Sequence, residues 1–182
     1  MDKRMSIFID GSNLHGGLGL MTKIHREQSK LPEDEFYNID FRKLIDCLNP
    51  DKKEITKIYY ARSETESDLE KRKLFYRTLN GIGMKLDIKD RKEGRKEKGV
   101  DMAIAMEMLI LAFQDYYDEA ILVARDADYC QLIHEVQRYG KRVGVAAMHY
   151  GLSAKLVNES DYFIDLEDCK GLIHKEKGAK KT

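Results

Sequence analysis

The sequence predicts a three-layer α/β/α domain around a mainly parallel sheet of five or six strands. Short β-branched or aromatic runs alternate with longer stretches of helical spacing, the arrangement of an α/β domain. Three of those runs are apolar at odd and even positions alike, as strands covered on both faces are. The size agrees, because 182 residues that are 42% hydrophobic suit one globular domain with some decoration.

In chain order the first run is Ser6 to Ile9. Ile55 to Tyr60, Met84 to Ile88, Ala120 to Ala124, Val143 to Ala147 and a weaker Tyr162 to Ile164 follow. The first, fourth and fifth are the doubly apolar ones and are expected at the centre of the sheet. Between the runs, Phe41 to Leu48 has helical spacing, and Ser67 to Leu79 sets Leu69, Phe75 and Leu79 among charges. Val100, Ile104, Met108 and Leu111 recur every three or four residues and mark a long, nearly all-apolar helix. Leu132, Ile133 and Val136 form the buried stripe of another, which ends at Gly140, a residue suited to the left-handed C-terminal position. Leu152 to Asn158 reads as a short last helix. Residues 16–38, Gly-rich and then polar, read as a long functional or flexible loop. The domain is expected over residues 1–168, with residues 169–182 a basic, flexible tail carrying five Lys and one Glu from Lys170 onward.

With 32 Lys+Arg against 32 Asp+Glu the net charge is zero, so any electrostatic function must be local. No apolar run approaches the roughly 20 residues that cross a bilayer, and the N-terminus leads directly into a strand-like segment rather than a signal peptide. A cytoplasmic protein with no membrane association is expected. Cys47, Cys130 and Cys169 are odd in number, far apart and without Cys-x-x-Cys spacing, which predicts reduced thiols rather than a disulfide or zinc site.

Open α/β sheets bind ligands beyond the carboxyl ends of their strands, where strand order reverses. Asp10-Gly11-Ser12-Asn13 follows the first run and Arg125-Asp126-Ala127-Asp128 the fourth. If those two strands are neighbours about 4.8 Å apart, Asp10 and Asp126 stand side by side. Asp101 opens the long apolar helix just after Lys98-Gly99. Carboxylates so gathered repel one another, and some take up protons unless a cation neutralises them. Mg²⁺ or Mn²⁺, hard ions that favour oxygen ligands and retain waters, are the usual answer. Such an ion activates water and neutralises charge developing on a phosphate, which is the chemistry of a nuclease.

Phe8 to Leu14 (FIDGSNL), Lys98 to Asp101 (KGVD), Ile121 to Tyr129 (ILVARDADY), a later GKRVGV and a closing SDYFI stand in one order along the chain. Together they resemble the NYN domain, a branch of the PIN-like nuclease superfamily that includes the LabA-type bacterial proteins. The resemblance runs from about Met5 to Leu166. It implies a PIN-like fold and a metal-dependent ribonuclease acting on RNA, with single-stranded DNA as a further candidate substrate. Asp10, Asp101, Asp126 and Asp128 match the family's acidic, metal-binding positions, and Asn13 the polar residue of its first motif. Family members usually read Ser-Gly-Asp-Ser-Asp where this chain has Ala124-Arg125-Asp126-Ala127-Asp128. Two roles are open to Arg125. It pairs with a substrate phosphate, as a guanidinium suits, or it salt-bridges an acidic neighbour and leaves a noncatalytic RNA-binding or regulatory module.

Plainer readings accompany each residue. Asp126 or Asp128 can cap the following helix, since Asp128 and Gln131 have capping-box spacing, and Asp101 is favoured at a helix start by the dipole. Gly11 beside Asp10 suits backbone approach by a ligand. GSNLHGG imitates P-loop glycine spacing but lacks the Lys and Ser/Thr that such a loop needs. His15 alone of the five histidines is near the proposed site. Ser12, Arg95 and Lys98 are candidate substrate contacts, the last two within Lys89 to Lys98, a run of six basic and three acidic residues placed to hold a phosphate backbone. Arg62 and Arg91 could extend that rim. The apolar surface around Leu109 to Phe113 could support a homodimer.

Overall fold

The computed structural model describes residues 3–95 and 98–178. In chain order the elements are β1 (Arg4–Asp10), α1 (Gly11–Glu27), β2 (Glu35–Ile39), α2 (Phe41–Leu48), β3 (Glu54–Glu64), α3 (Glu66–Lys71), α4 (Lys73–Gly81) and β4 (Met84–Asp90). Then come α5 (Val100–Phe113), β5 (Glu119–Val123), a 3₁₀ turn (Ala127–Tyr129), α6 (Cys130–Arg138), β6 (Arg142–Ala147), α7 (Ala154–Glu159), β7 (Tyr162–Asp165) and β8 (Ile173–Lys177). The main sheet has the order β4-β3-β1-β5-β6-β7, and all its pairings are parallel. The three doubly apolar runs are β1, β5 and β6, which lie inside the sheet as their patterning requires.

Alternation along the strands divides the core into two layers. Ile7, Ile9, Ile58, Tyr60, Ile121 and Val123 face one side, where Leu14, Leu18, Leu44 and Leu79 from α1, α2 and α4 cover them. Phe8, Tyr59, Ala61, Leu122 and Val145 face the other, against Ile104 and Met108 of α5 and Leu132, Ile133 and Val136 of α6. Strand order reverses between β1 and β5, so the carboxyl ends of those two strands form the crevice of the sheet.

Four expectations are corrected. Residues 16–38 are largely not a loop. Leu14, Leu18 and Met21 give α1 a buried stripe, which its glycines mask in the sequence, and Glu35–Ile39 forms β2. Gly16 and Gly17 make room for tertiary contacts: an added Cβ would lie 2.8 Å from an Arg125 Nη atom and 2.8 Å from Met148 Cε respectively. The expected free tail is, over Ile173–Lys177, a strand paired antiparallel to β2, while residues 179–182 lie outside the described residues. The predicted Ser67 to Leu79 helix is two helices broken at Arg72, whose guanidinium bonds Glu64. Finally, Cys47 of α2 and Cys169 are joined in a disulfide, their Cα atoms 6.0 Å apart across 122 residues of sequence, a separation at which no local spacing signals a pair. Cys130 is a free, buried thiol.

The long helix α5 is apolar nearly all round, yet only its inner face is covered. Met102, Met106, Ile110 and Phe113 remain exposed along its outer side. No helix among the described residues is long and apolar enough to cross a membrane.

Candidate active site

β1 ends on Asp10, whose parity places its side chain on the α5 and α6 side of the sheet. The residue is buried, 3% exposed, and a carboxylate there must be satisfied. It accepts from the Asn13 backbone N–H at 2.8 Å, the Asn13 amide Nδ2 at 2.7 Å and the Tyr129 hydroxyl at 2.8 Å. The first of these caps α1. Asn13 therefore holds Asp10 twice, and its own Oδ1 accepts the Arg125 N–H at 3.2 Å, tying the end of β1 to the segment that follows β5.

Asp10, Ser12, Asn13, Lys98, Gly99, Asp101, Asp126, Asp128 and Tyr129 line one cleft of about 180 Å³. Asp101 arrives in the first turn of α5, which begins after Gly99 in a left-handed conformation at φ 83°. Asp126 caps the 3₁₀ turn through the Asp128 N–H at 3.1 Å, so capping falls to Asp126 and the capping-box alternative for Asp128 is not realised. Tyr129 registers the electrostatics of the group. Its hydroxyl is driven far above the ordinary phenol range by burial first, then by the negative charges of Asp10, Asp101 and Asp126 and by its bond to Asp10.

The donor set is carboxylate and amide oxygen, the type that hard divalent ions prefer. The four aspartates share the cleft without closing on a common point. Among the described residues, the group of ligating side chains whose oxygen or nitrogen atoms lie within 4.8 Å of one another is His149, Asp165 and Glu167, at the ends of β6 and β7. That group is internally satisfied: His149 Nε2 sits 2.6 Å from Asp165, and Glu167 accepts the His149 backbone N–H at 3.0 Å.

The other candidates separate. Ser12 and Lys98 line the aspartate cleft. Arg125 turns toward the backbone carbonyl of Tyr150, 3.3 Å away, its guanidinium occupies space left by Gly16 and Gly151, and among the described residues it forms no salt bridge with an acidic neighbour. It lines an adjoining opening with Ser12, Asn13 and Asp126. Arg95 is exposed, its N–H bonded to the Lys92 carbonyl at 3.1 Å, and lies outside the lining of the cleft. Lys96 and Glu97 of the basic run lie outside the described residues. Arg91 faces Asp68 at 3.6 Å, and Arg62 bonds Glu64 on the other side of the sheet. His15 also points away from the aspartates, into an aromatic cluster with Phe41 and Phe75. Gly11 is accounted for by the Tyr60 ring, which an added Cβ would meet at 2.4 Å, and not by a ligand.

The NYN domain family matches residues 4–167. The chain belongs to the NYN family. As an NYN domain it falls within the PIN-like nuclease superfamily, and its sheet agrees with a solved structure of that shape. A Vibrio parahaemolyticus protein of unknown function is 22% identical, with 92% of this chain and 94% of that one covered at a TM-score of 0.69, a likeness of fold. No curated protein matches. The contact of Tyr129 with Asp10 spans 119 residues of sequence. The only local signal for its role was its place directly after Asp126-Ala127-Asp128.

Proposed function

We propose that this NYN domain is a metal-dependent ribonuclease, with Asp10, Asp101, Asp126 and Asp128 holding Mg²⁺ or Mn²⁺ directly or through water. The supporting observation is that Asp10, Asp101, Asp126 and Asp128 line one cleft with the Tyr129 side chain at the reversal point of the sheet. A divalent ion there would supply an activated water and charge neutralisation at the phosphate. The chain's own part is positioning. Asn13 and Tyr129 hold Asp10 in one orientation through three hydrogen bonds, as outer-shell donors do around metal ligands. In this reading Ser12 and Lys98, which line the cleft, would contact the phosphate of RNA or single-stranded DNA, and Arg125 and Arg95 would do so only by turning from the positions they hold in the structure. A homodimer would form across the exposed stripe of α5.

The test is cleavage of labelled RNA and single-stranded DNA with Mn²⁺, Mg²⁺ or EDTA. Asp10→Asn and Asp101→Asn should abolish the Mn²⁺-dependent cleavage while leaving the circular dichroism spectrum intact. Activity equal to the parent would remove the assignment. The noncatalytic alternative stood on a salt bridge from Arg125, which instead bonds a backbone carbonyl. Cleavage that appears only in Arg125→Gly would restore that alternative.

A further inference from the structure

On the opposite face of the sheet, α1, α2 and α4 enclose a cleft of about 520 Å³. Its position follows from strand alternation. Ala61 is the register partner of Asp10 and faces the α5 side, so the next residue, Arg62, faces the α1 side. The wall is aromatic: the rings of His15 and Phe75 meet edge to face at 5.8 Å and those of Phe41 and Phe75 at 5.6 Å. The rim is cationic, with Arg42, Arg62 and Arg72. Glu64 accepts Arg62 Nε at 3.1 Å and an Arg72 Nη, which fixes both guanidinium groups and leaves each with further N–H donors. Asp40, the acid of the rim, is engaged in capping α2 through the Arg42 and Lys43 amides at 2.9 and 3.3 Å. His15 Nε2 is buried without a hydrogen-bond partner among the described residues, and such a group calls for one. Burial, reinforced by Arg62 and Arg72, lowers the imidazole to about 3, so the ring is neutral and can donate or accept.

We infer that this cleft binds one nucleotide of a single-stranded nucleic acid, its base against Phe75 and His15 and its phosphate on Arg42 and Arg72. A phosphate alone would make no use of the aromatic wall, and a purely apolar ligand would make no use of the N–H donors that Arg62 and Arg72 have beyond their bonds to Glu64. A nucleotide uses both. The two clefts flank the first turn of α1, where Asn13 faces the aspartates and His15 faces the arginines. In this proposal the strand crosses that turn to occupy both. The assignment to a substrate strand rests on the nuclease reading, whereas the affinity of the cleft for a nucleotide does not.

The experiment is calorimetric titration of the full chain in EDTA with AMP, UMP, inorganic phosphate and a short single-stranded RNA, with the His15 imidazole followed by NMR. The nucleoside monophosphates should bind and move the His15 signals, and inorganic phosphate should bind roughly tenfold more weakly. Thr78→Trp, which fills the mouth from an exposed position on α4, should abolish monophosphate binding. Arg42→Gln, also at an exposed residue, should weaken it roughly tenfold, and Asp101→Asn should leave it unchanged. The RNA should bind more tightly than either monophosphate and lose affinity in Thr78→Trp. Absence of monophosphate binding, or binding that ignores both cleft variants, overturns the site. RNA affinity untouched by Thr78→Trp overturns the strand assignment. Absence of RNA cleavage alongside intact nucleotide binding removes the nuclease reading alone.

Discussion

The two edges of the main sheet treat their carboxylates in opposite ways. At the amino ends of the strands, Asp118 accepts three N–H groups of Arg4 at 2.8 to 3.2 Å, Asp115 meets Arg4 and Lys141, and the buried Glu119 meets Lys53 at 2.8 Å and the Tyr162 hydroxyl. At the carboxyl ends, among the described residues, none of Asp101, Asp126 and Asp128 forms an ion pair with a cationic side chain, and all three line one cleft with Asp10 and Tyr129. The first arrangement neutralises charge from within the fold and serves stability. In the second, three of the acids have no such ion pair among the described residues, and in the proposed function a divalent ion would supply the neutralising charge.

That contrast can be broken most sharply by activity. Asp10→Asn should lower Mn²⁺-dependent RNA cleavage by more than about a hundredfold, and Tyr129→Phe, which removes a donor that orients Asp10, by about tenfold to a hundredfold. Single-turnover assays on the two variants check this, and a Tyr129→Phe protein as fast as the parent would leave Tyr129 a packing residue. Stability should show the reverse. Lys53→Ala strands a buried Glu119 and should cost about 3 kcal/mol in urea unfolding, whereas Asp101→Asn in EDTA should stay within about 0.5 kcal/mol of the parent. A large loss in Asp101→Asn would mean that the carboxyl edge is structural too.

The smallest expected effect is in pH dependence. Hydrogen bonds from Arg4, side chain first and backbone next, hold Asp118 down at about 2 against an ordinary 3.8. A carboxyl depressed in the folded state stabilises the fold above its ordinary pKa, and that contribution is lost as pH falls through the folded value. Stability should therefore decline between about pH 4 and pH 2, modestly because the group is partly exposed. The Asp118→Asn protein should have a flatter acid limb in urea titrations, and an unchanged limb would show that the Arg4 bonds do not set the acid response.

Legibility in the sequence followed the range of the interaction. Strands β1, β5 and β6 announce themselves as short apolar runs buried on both faces, and helices α2, α5 and α6 by apolar residues three or four apart. Helix α1 was hidden because Gly16 and Gly17 answer to Arg125 and Met148, residues more than a hundred positions away. β2 and β8 escaped because a two-stranded pair with partly exposed faces has weak alternation and finds its partner about 140 residues along the chain. The Cys47–Cys169 disulfide escaped for the same reason.

What the sequence determined by itself was the order along the chain of the six strands of the main sheet, the helices α2, α5 and α6 and the acidic residues that leave the strands, since these are written in local apolar patterning and in motif order. Only the tertiary structure decided which acids share a cleft, where Arg125 and His15 point, and that Tyr129 bonds Asp10. Those outcomes depend on how segments far apart in the chain are brought to the same edge of one sheet, and no local pattern records that distance.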